Sequence, residues 1–368
     1  MKIVVVGTRG IPNVQGGVET HCEQLYPRLA ALGHDITLMT RSPYIAPKDR
    51  RDQYRGVRLQ HLYTPRRKSL EAIVHTTLAI LHARRQGADI VHIHAIGPAL
   101  LTPLARLLGM RTVVTHHGPD YERQKWGRLA RAMLRLGERA AARHADALIV
   151  ISRHIAERVA EHHGRTDTHL IPNGVNLPVR RTETDRIEAL GLRPGRYVIA
   201  VGRFVEEKGF HDLVTAWQRL PPSDCRLVLV GDADHETRYS HHLKQSARDA
   251  GVILTGFIKG EDLAQVYSHA RLFVMPSYHE GLPIALLEAM SYGPPVLVSD
   301  IPANLEVPLE GECYFPVGDV RVLTDALDTC LAHETHVDHT ALLKNHYDWG
   351  RVAEATSQVY AAAGKRQP

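Results

Sequence analysis

Glu280 and Glu288 bracket the run Glu280-Gly281-Leu282-Pro283-Ile284-Ala285-Leu286-Leu287-Glu288, two carboxylates on either side of a glycine and a proline. The apolar run Leu272 to Met275 before them reads as a buried strand, and Ala285 to Tyr292 after them reads as a helix. The segment is therefore a strand-to-helix turn. In an open parallel sheet such a turn lies at the carboxyl ends of the strands, where ligands bind. Backbone N–H groups of the helix's first turn favour an anion there. Glu280 is placed to accept hydrogen bonds from hydroxyls, and Glu288, two turns into the helix, to reach a vicinal diol such as a ribose. A ligand carrying phosphate between two sugars satisfies both.

A second junction of this kind is Gly202-Arg203-Phe204-Val205-Glu206-Glu207-Lys208-Gly209. Arg203 and Lys208 flank a pyrophosphate in this reading and stabilise the charge that grows as it leaves, a positioned donor being worth about 3 kcal/mol. The alternative is a surface ion pair with Glu206 or Glu207, worth about 0–1 kcal/mol. The first apolar run ends in Gly7-Thr8-Arg9-Gly10-Ile11-Pro12-Asn13-Val14-Gln15-Gly16-Gly17-Val18-Glu19, before a helix over Val18–Leu32. This departs from GxGxxG, because the glycine pair arrives late. Gly16 and Gly17 let a phosphate approach the amides of that helix start, or they form a plain tight turn.

His116, His117 and Gly118 end the strand Thr112–His116, where a neutral imidazole donates to a sugar hydroxyl or carries a proton. His92 and His94 share one face of the preceding strand and invite a metal. No third ligand follows at a spacing used by zinc or iron motifs, and 24 histidines produce chance pairs, so no metal is expected. His162-His163 and His241-His242 are expected to be exposed helix residues. Asp232-Ala233-Asp234 has the DxD pattern that holds a divalent ion on a diphosphate in some transferases. Since it closes the strand Arg226–Gly231, Asp232 reads better as the cap of the next helix.

Positioning these groups requires strands alternating with helices. Apolar runs recur at Ile3–Gly7, Asp35–Thr40, Asp89–His94, Thr112–His116 and Ala147–Ser152, then at Tyr197–Gly202, Arg226–Gly231, Val252–Phe257, Leu272–Pro276 and Val296–Ser299. The pattern predicts an α/β chain of two Rossmann-like domains, each with a parallel sheet, facing across a cleft. The turn-rich Pro172-Asn173-Gly174-Val175-Asn176-Leu177-Pro178 marks the hinge, giving domains 1–177 and 178–346, with a terminal helix in 347–368.

With 368 residues, 44 % hydrophobic and 23 % charged, the chain is an ordinary two-domain length that needs no disulfide support. Cys22, Cys225, Cys313 and Cys330 form no CxxC pair and read as reduced cytosolic thiols. Neither a signal peptide nor a membrane span of about 18 apolar residues is legible, so a cytoplasmic or peripheral protein is expected. The formal charge of +5 comes from Arg and Lys spread along the chain, with one concentration between Tyr121 and Ala145, where Arg128, Arg131, Arg135, Arg139 and Arg143 form one helical stripe beside Leu129, Met133 and Leu136. It reads equally as a surface for anionic lipid, at about 1 kcal/mol per cation, or as a solvated helix face. The basic residues are not interleaved with aromatics, which are 6 % of the chain, and no nucleic acid partner is expected.

Taken in order, Gly16-Gly17, His117-Gly118, Pro172-Asn173-Gly174-Val175, Gly202-Arg203 with Lys208, Gly231-Asp232, Pro276-Ser277 and Glu280 through Glu288 resemble the GT-B retaining glycosyltransferases of family 4 over nearly the whole chain. The opening Gly7-Thr8-Arg9-Gly10-Ile11-Pro12 with Gly16-Gly17-Val18-Glu19, and His117-Gly118 followed by Lys125-Trp126-Gly127, further resemble a bacterial branch that builds cell-surface polysaccharide, rhamnosyltransferases among them. The resemblance implies metal-independent transfer of a sugar from a nucleoside-diphosphate sugar to a hydroxyl of a glycan or polyprenyl-linked acceptor, without a cofactor. It implies that Gly16, Gly17, Gly202, Arg203 and Lys208 serve the diphosphate, that His117 and Glu280 serve the sugar, and that Glu288 serves the ribose. The backbone of Gly281, Leu282 and Ile284 would serve sugar and phosphate, and Phe257 and Ile258 would lie near the base. Pro283 stands where a common member has glycine and removes one N–H donor. Acceptor loops would be 11–15, 64–69 and 119–126, and the last helix would cross back to the first domain. A nucleotide-sugar epimerase on the same architecture, drafting His116, His117 and Glu280 as acid and base, is the alternative enzyme.

Overall fold

The computed structural model describes residues 1–65, 71–122, 127–333 and 337–364, which divide into two compact units, Met1–Gly174 with Asp348–Pro368, and Val175–Tyr347. Residues 66–69 and 123–126 of the expected acceptor loops, Lys125 and Trp126 among them, lie outside the described residues.

In the first unit the strands are β1 (Lys2–Val6), β2 (Asp35–Arg41), β3 (Gln53–Tyr54), β4 (Val57–Leu62), β5 (Ile90–His94), β6 (Arg111–His116), β7 (Ala147–Val150) and β8 (His169–Leu170). They form one sheet in the order β3-β4-β2-β1-β5-β6-β7-β8, parallel except for the β3–β4 pair. Helices α1 (Gly17–Ala31), α2 (Glu71–Arg85), α3 (Ile96–Ala99), α4 (Thr102–Leu107), α5 (Arg128–His144) and α6 (Arg153–His163) connect them. β1 and β5 are apolar runs rich in valine and isoleucine and almost wholly buried, as strands covered on both faces must be. The second unit has β9 (Tyr197–Val201), β10 (Arg226–Val230), β11 (Ile253–Gly256), β12 (Leu272–Met275), β13 (Val296–Ser299) and β14 (Tyr314–Phe315), in the parallel order β11-β10-β9-β12-β13-β14. Its helices are α7 (Asp185–Ala189), α8 (Phe210–Trp217), α9 (Arg238–Asp249), α10 (Gly260–Ser268), α11 (Ile284–Tyr292), α12 (Pro302–Leu305), α13 (Val320–Ala332) and α14 (Thr340–His346).

The last helix, α15 (Trp349–Gly364), belongs to the first unit. Trp349, Val352, Ala353, Val359 and Tyr360 recur at helical spacing on its buried face, in one apolar cluster with Leu25, Tyr26 and Leu29 of α1. Burying a large apolar side chain contributes about 1.5–3 kcal/mol, enough over Trp349, Val352, Val359 and Tyr360 to hold this helix in place. Among the described residues no helix is long and apolar enough to cross a membrane.

Each sheet has the doubly wound arrangement, in which strand order reverses beside the first strand. β1 has β2 on one side and β5 on the other, and β9 has β10 and β12. Ligands of open α/β sheets bind outside the strands' carboxyl ends at such a reversal. The loops leaving it are 7–16 after β1 and 95 onward after β5 in the first unit, and 202–209 after β9 and 276–283 after β12 in the second.

Candidate active site

In the second unit the loops after β9 and β12 touch. Gly209 has φ of +65°, and a Cβ on it would stand 2.0 Å from the Pro276 carbonyl oxygen, so only glycine permits the approach. That contact carries Lys208 to Glu280. Lys208 Nζ donates to Glu280 Oε1 at 2.5 Å, with side chains 16 % and 12 % exposed, and Ser277 Oγ donates to the same oxygen at 2.7 Å. Burial works to raise the Glu280 carboxyl, but the Lys208 ammonium and these hydrogen bonds outweigh it and hold the group below the usual carboxylate range. At neutral pH the pair is an ammonium beside a carboxylate at the reversal of strand order. It offers N–H donors to a phosphate and acceptor lone pairs to hydroxyls.

Arg203 makes its ion pair with Asp234, Nη1 to Oδ2 at 2.9 Å. Asp232 accepts from Ala233 N at 2.7 Å and from Lys244 Nζ at 2.6 Å. The cap expected of Asp232 is instead supplied by Thr237, whose hydroxyl accepts from Ser240 N at 3.1 Å in a reciprocal capping box at the start of α9. The helix begins later than the sequence suggested because the segment after β10 first turns to bring Asp234 to Arg203. Both aspartates of the DxD pattern thus face cations.

Pro283 is the N-cap of α11, and its carbonyl accepts from Leu286 N at 3.2 Å and Leu287 N at 3.3 Å. At that position a helix uses no N–H of its own, so the proline takes no bond from α11. Leu282 and Ile284 are buried and Gly281 half-buried. Glu288, half-buried on α11, has its carboxyl pushed up to about 7, chiefly by its apolar surroundings, against the Lys259 charge and the Tyr267 hydroxyl. Phe257, following β11, is 43 % exposed with Lys259 5.7 Å from its ring centroid, and Ile258 is half-buried. Gly202 closes β9 and donates to Val230 O at 2.9 Å.

In the first unit Gly16 has φ of +145° and Gly17 opens α1. The loop is folded onto that helix by Glu19, which is buried and accepts from Arg9 N at 3.0 Å. A Cβ on Gly17 would meet nothing within 4 Å, so the helix start opens onto free space.

His116 is fully buried, accepts from Gly118 N at 3.1 Å through Nδ1 and donates through Nε2 to Glu138 Oε1 at 2.8 Å. Glu138 Oε2 also takes the Tyr121 hydroxyl at 3.0 Å and His163 Nε2 at 3.0 Å. His163, expected to be exposed, is therefore drawn in by a buried carboxylate, while His162 stays at the surface. Burial works against ionising Glu138, yet the hydrogen bonds and charge from His116, with His163 and Tyr121, hold it down to about 2. The Glu138 hub was invisible in the sequence because it sits among arginines on α5.

His117 is half-buried and its Nε2 lies 2.8 Å from His94 Nδ1. His94 Nε2 bonds the Tyr26 hydroxyl, which also bonds His92 Nδ1 at 2.9 Å. His92 in turn meets Tyr360 at 2.6 Å and Thr115 at 2.7 Å. His21 of α1 bonds Asn173 Oδ1 at 2.9 Å. Burial first, then mutual repulsion, pushes His94 and His117 well down, and burial takes His92 to about 3 and His21 to about 4. All four imidazoles are neutral at pH 7.

The arginine stripe lies on α5 with Arg128, Arg135, Arg139 and Arg143 exposed beside Leu129, 77 % exposed, and Leu136, 53 % exposed. It is less uniform than the spacing suggested. Arg131 is half-buried and Arg135 lies 5.3 Å from the Tyr121 ring centroid.

Family models match both halves of the chain: the Glycosyltransferase Family 4 model over residues 15–178 and the model for glycosyl transferases group 1 over residues 183–346. A glycogen synthase of Mycobacterium tuberculosis is 27 % identical over 416 aligned residues, covering 100 % of this chain and 97 % of that protein. Among solved structures, the sucrose-phosphate synthase of Thermosynechococcus elongatus has the same fold, with a TM-score of 0.83 at 24 % identity over 98 % of each chain. So does Anabaena Alr3699/HepE in complex with UDP-glucose, with a TM-score of 0.80 at 18 % identity over 98 % of this chain and 100 % of that one. Both Rossmann-like units thus match glycosyltransferase models, and the chain belongs to the GT-B glycosyltransferases.

Proposed function

We propose that the chain transfers a sugar, with retention of configuration, from a nucleoside-diphosphate sugar to a hydroxyl of a glycan or lipid-linked glycan during cell-surface polysaccharide assembly, as the rhamnosyltransferase-like branch does. The observation that carries the reading is the Lys208–Glu280 pair at the strand-order reversal of the second unit. The likeness to a glycogen synthase and to a fold neighbour solved with UDP-glucose supports a nucleotide-sugar donor. Val175–Tyr347 is then the donor-binding unit and Met1–Gly174 the acceptor-side unit. Arg203 and Lys208 neutralise the departing diphosphate, with Gly16, Gly17 and Gly202 contributing backbone contacts to it. Glu280 and His117 hold sugar hydroxyls, Gly281, Leu282 and Ile284 line the sugar and phosphate, Glu288 takes the ribose diol, and Phe257 and Ile258 flank the base. The acceptor hydroxyl attacks from the face the phosphate leaves, and a phosphate oxygen takes its proton. The protein contributes alignment and charge stabilisation rather than a nucleophile.

A thermal-shift screen of nucleoside diphosphates and their sugars tests this directly, because a ligand held at 100 times its Kd adds about 2.7 kcal/mol to stability. One base is expected to raise the melting point well above the others, with and without a chelator. No response to any nucleotide would sink the reading. Interconversion of the donor sugar without acceptor would replace it with the epimerase, and strict dependence on magnesium or manganese would return Asp232 and Asp234 to a metal.

Glu288 adds a pH signature. Its carboxyl titrates near 7 without ligand, so it becomes the better acceptor for a ribose diol as pH rises. Between pH 6 and 8 nucleotide affinity is expected to rise more steeply in the wild type than in Glu288→Gln; parallel profiles would remove Glu288 from the ribose. The sign for stability is opposite. A carboxyl raised on folding stabilises fully below the unfolded value of about 4.3, and that contribution is lost as pH climbs towards 7.

The exposed Leu129 and Leu136 among Arg128, Arg135, Arg139 and Arg143 of α5 favour an anionic membrane surface as second partner, on the inner face of the plasma membrane. Flotation with vesicles containing phosphatidylglycerol is expected at low salt and lost as salt rises; salt-independent or absent flotation would leave the stripe as a solvated face.

A further inference from the structure

We infer that His21, His94 and His117 form a binding site for a divalent transition-metal ion of the zinc class. Each brings one ring nitrogen to within 4.8 Å of the other two, from three separate places in the first unit: α1, the end of β5 and the loop after β6. Tetrahedral zinc, with Zn–N bonds of about 2.0–2.1 Å, holds its ligands about 3.4 Å apart, so shifts of about 1 Å close the set. Sequence spacing could not show it, because the third imidazole comes from a helix far from the two strands.

The second observation is an unsatisfied nitrogen. His21 is fully buried, its Nδ1 donates to Asn173 Oδ1, and its Nε2 has no hydrogen-bond partner among the described residues. The Asn173 acceptor fixes the proton on Nδ1 and leaves Nε2 as a bare lone pair inside the protein, an unfavourable arrangement for a buried acceptor. A cation satisfies that lone pair. Metal-ligating histidines characteristically have the other ring nitrogen held in this way.

His94 has the same support on its far side, where Nε2 bonds the Tyr26 hydroxyl. Because a hydroxyl both donates and accepts, His94 can move its proton from Nδ1 to Nε2 and turn Nδ1 into a ligand without stranding a charge. The bond from His94 Nδ1 to His117 Nε2, 2.8 Å long, then opens onto the ion. Three imidazoles are the donor set that zinc accepts with a fourth position left to water. A bound ion would withdraw the His117 nitrogen from any sugar hydroxyl. The site itself lies wholly within the first unit and does not rest on the transfer reading.

The test uses the full chain, stripped with a chelator, dialysed and titrated with zinc chloride by calorimetry, with circular dichroism confirming the fold of each variant. The wild type is expected to take up one zinc per chain and to melt higher when loaded. His21→Ala is expected to bind at least about 100-fold more weakly and Asn173→Ala about 10–100-fold more weakly, the usual cost of losing an outer-shell partner. His241→Ala with His242→Ala, which removes two exposed imidazoles of the other unit, is expected to bind as the wild type does. Absence of saturable uptake by the wild type would overturn the proposal, as would wild-type affinity in both His21→Ala and Asn173→Ala. Should His21→Ala fail to fold, Asn173→Ala decides alone.

Discussion

Lys208→Ala is expected to lower kcat by about 10²–10³-fold while weakening nucleoside-diphosphate binding by less than about 10-fold, because a donor positioned where charge develops acts chiefly in the transition state. In the free protein Lys208 Nζ lies 2.5 Å from Glu280 Oε1 with its side chain 16 % exposed, so it is already largely buried and held in place. On the proposed reading, its attraction for a diphosphate grows as the glycosidic bond breaks and the leaving oxygen gains charge. Removing it also strips Glu280 of the charge that does most to hold its carboxyl below the usual range, so in the proposed site the sugar would lose an ionised acceptor at the same time. Glu280→Gln separates the two effects. It keeps the side chain's shape and leaves Lys208 free for phosphate, so nucleotide binding is expected to survive while turnover falls. The measurements are steady-state kinetics with the identified donor and calorimetry with its nucleoside diphosphate. Equal losses in kcat and in nucleotide affinity for Lys208→Ala would reduce the residue to a binding contact.

Glu138→Ala is expected to destabilise the first unit by about 3 kcal/mol, since it leaves His116, His163 and Tyr121 without the carboxylate that accepts from all three. The depressed titration of Glu138 gives a similar figure. A drop from about 4.3 to about 2 corresponds to about 3 kcal/mol of preference for the ionised form in the folded chain. For a unit of this size the melting transition should fall by roughly 6–12 °C. The sign with pH follows from the depression: the contribution is complete above the unfolded value and is lost as pH falls from about 4.3 towards 2. Below about pH 2 the wild type and Glu138→Ala should converge. The loss also reaches His117, because His116 and Gly118 on either side of it are held by this hub. A melting point within a degree of the wild type at pH 7 would show that neighbouring groups re-pair and that the hub is dispensable.

The ten apolar runs picked out along the chain are all strands, and their alternation with helices was enough to indicate two parallel sheets. The strands that escaped notice are β3, β8 and β14, each two residues long, and β4, whose Val-Arg-Leu-Gln-His-Leu alternates polar and apolar residues beside a turn. Edge and near-edge strands bury less surface, so they need fewer apolar residues and leave a weaker trace. The glycine-bearing loops after β1 and β9 were legible for the opposite reason. Gly209 and Gly16 hold backbone angles that other residues resist, so their places in the chain announce a turn whatever surrounds it.

Residue type and local period decided where strands and helices form, which loops carry glycine, and which charged groups lie at strand ends, because each of those depends on neighbours within a few positions. Partnership was decided by topology. Lys208 meets Glu280, Arg203 meets Asp234, His163 meets Glu138, and His21 comes beside His94 and His117 only because the order of strands in each sheet brings their loops and helices together. Spacing along a chain carries no record of such distances. The protonation states differ for the same reason: two glutamates of one motif titrate in opposite directions, Glu280 beside an ammonium and Glu288 in an apolar surround, since desolvation and charge act through space.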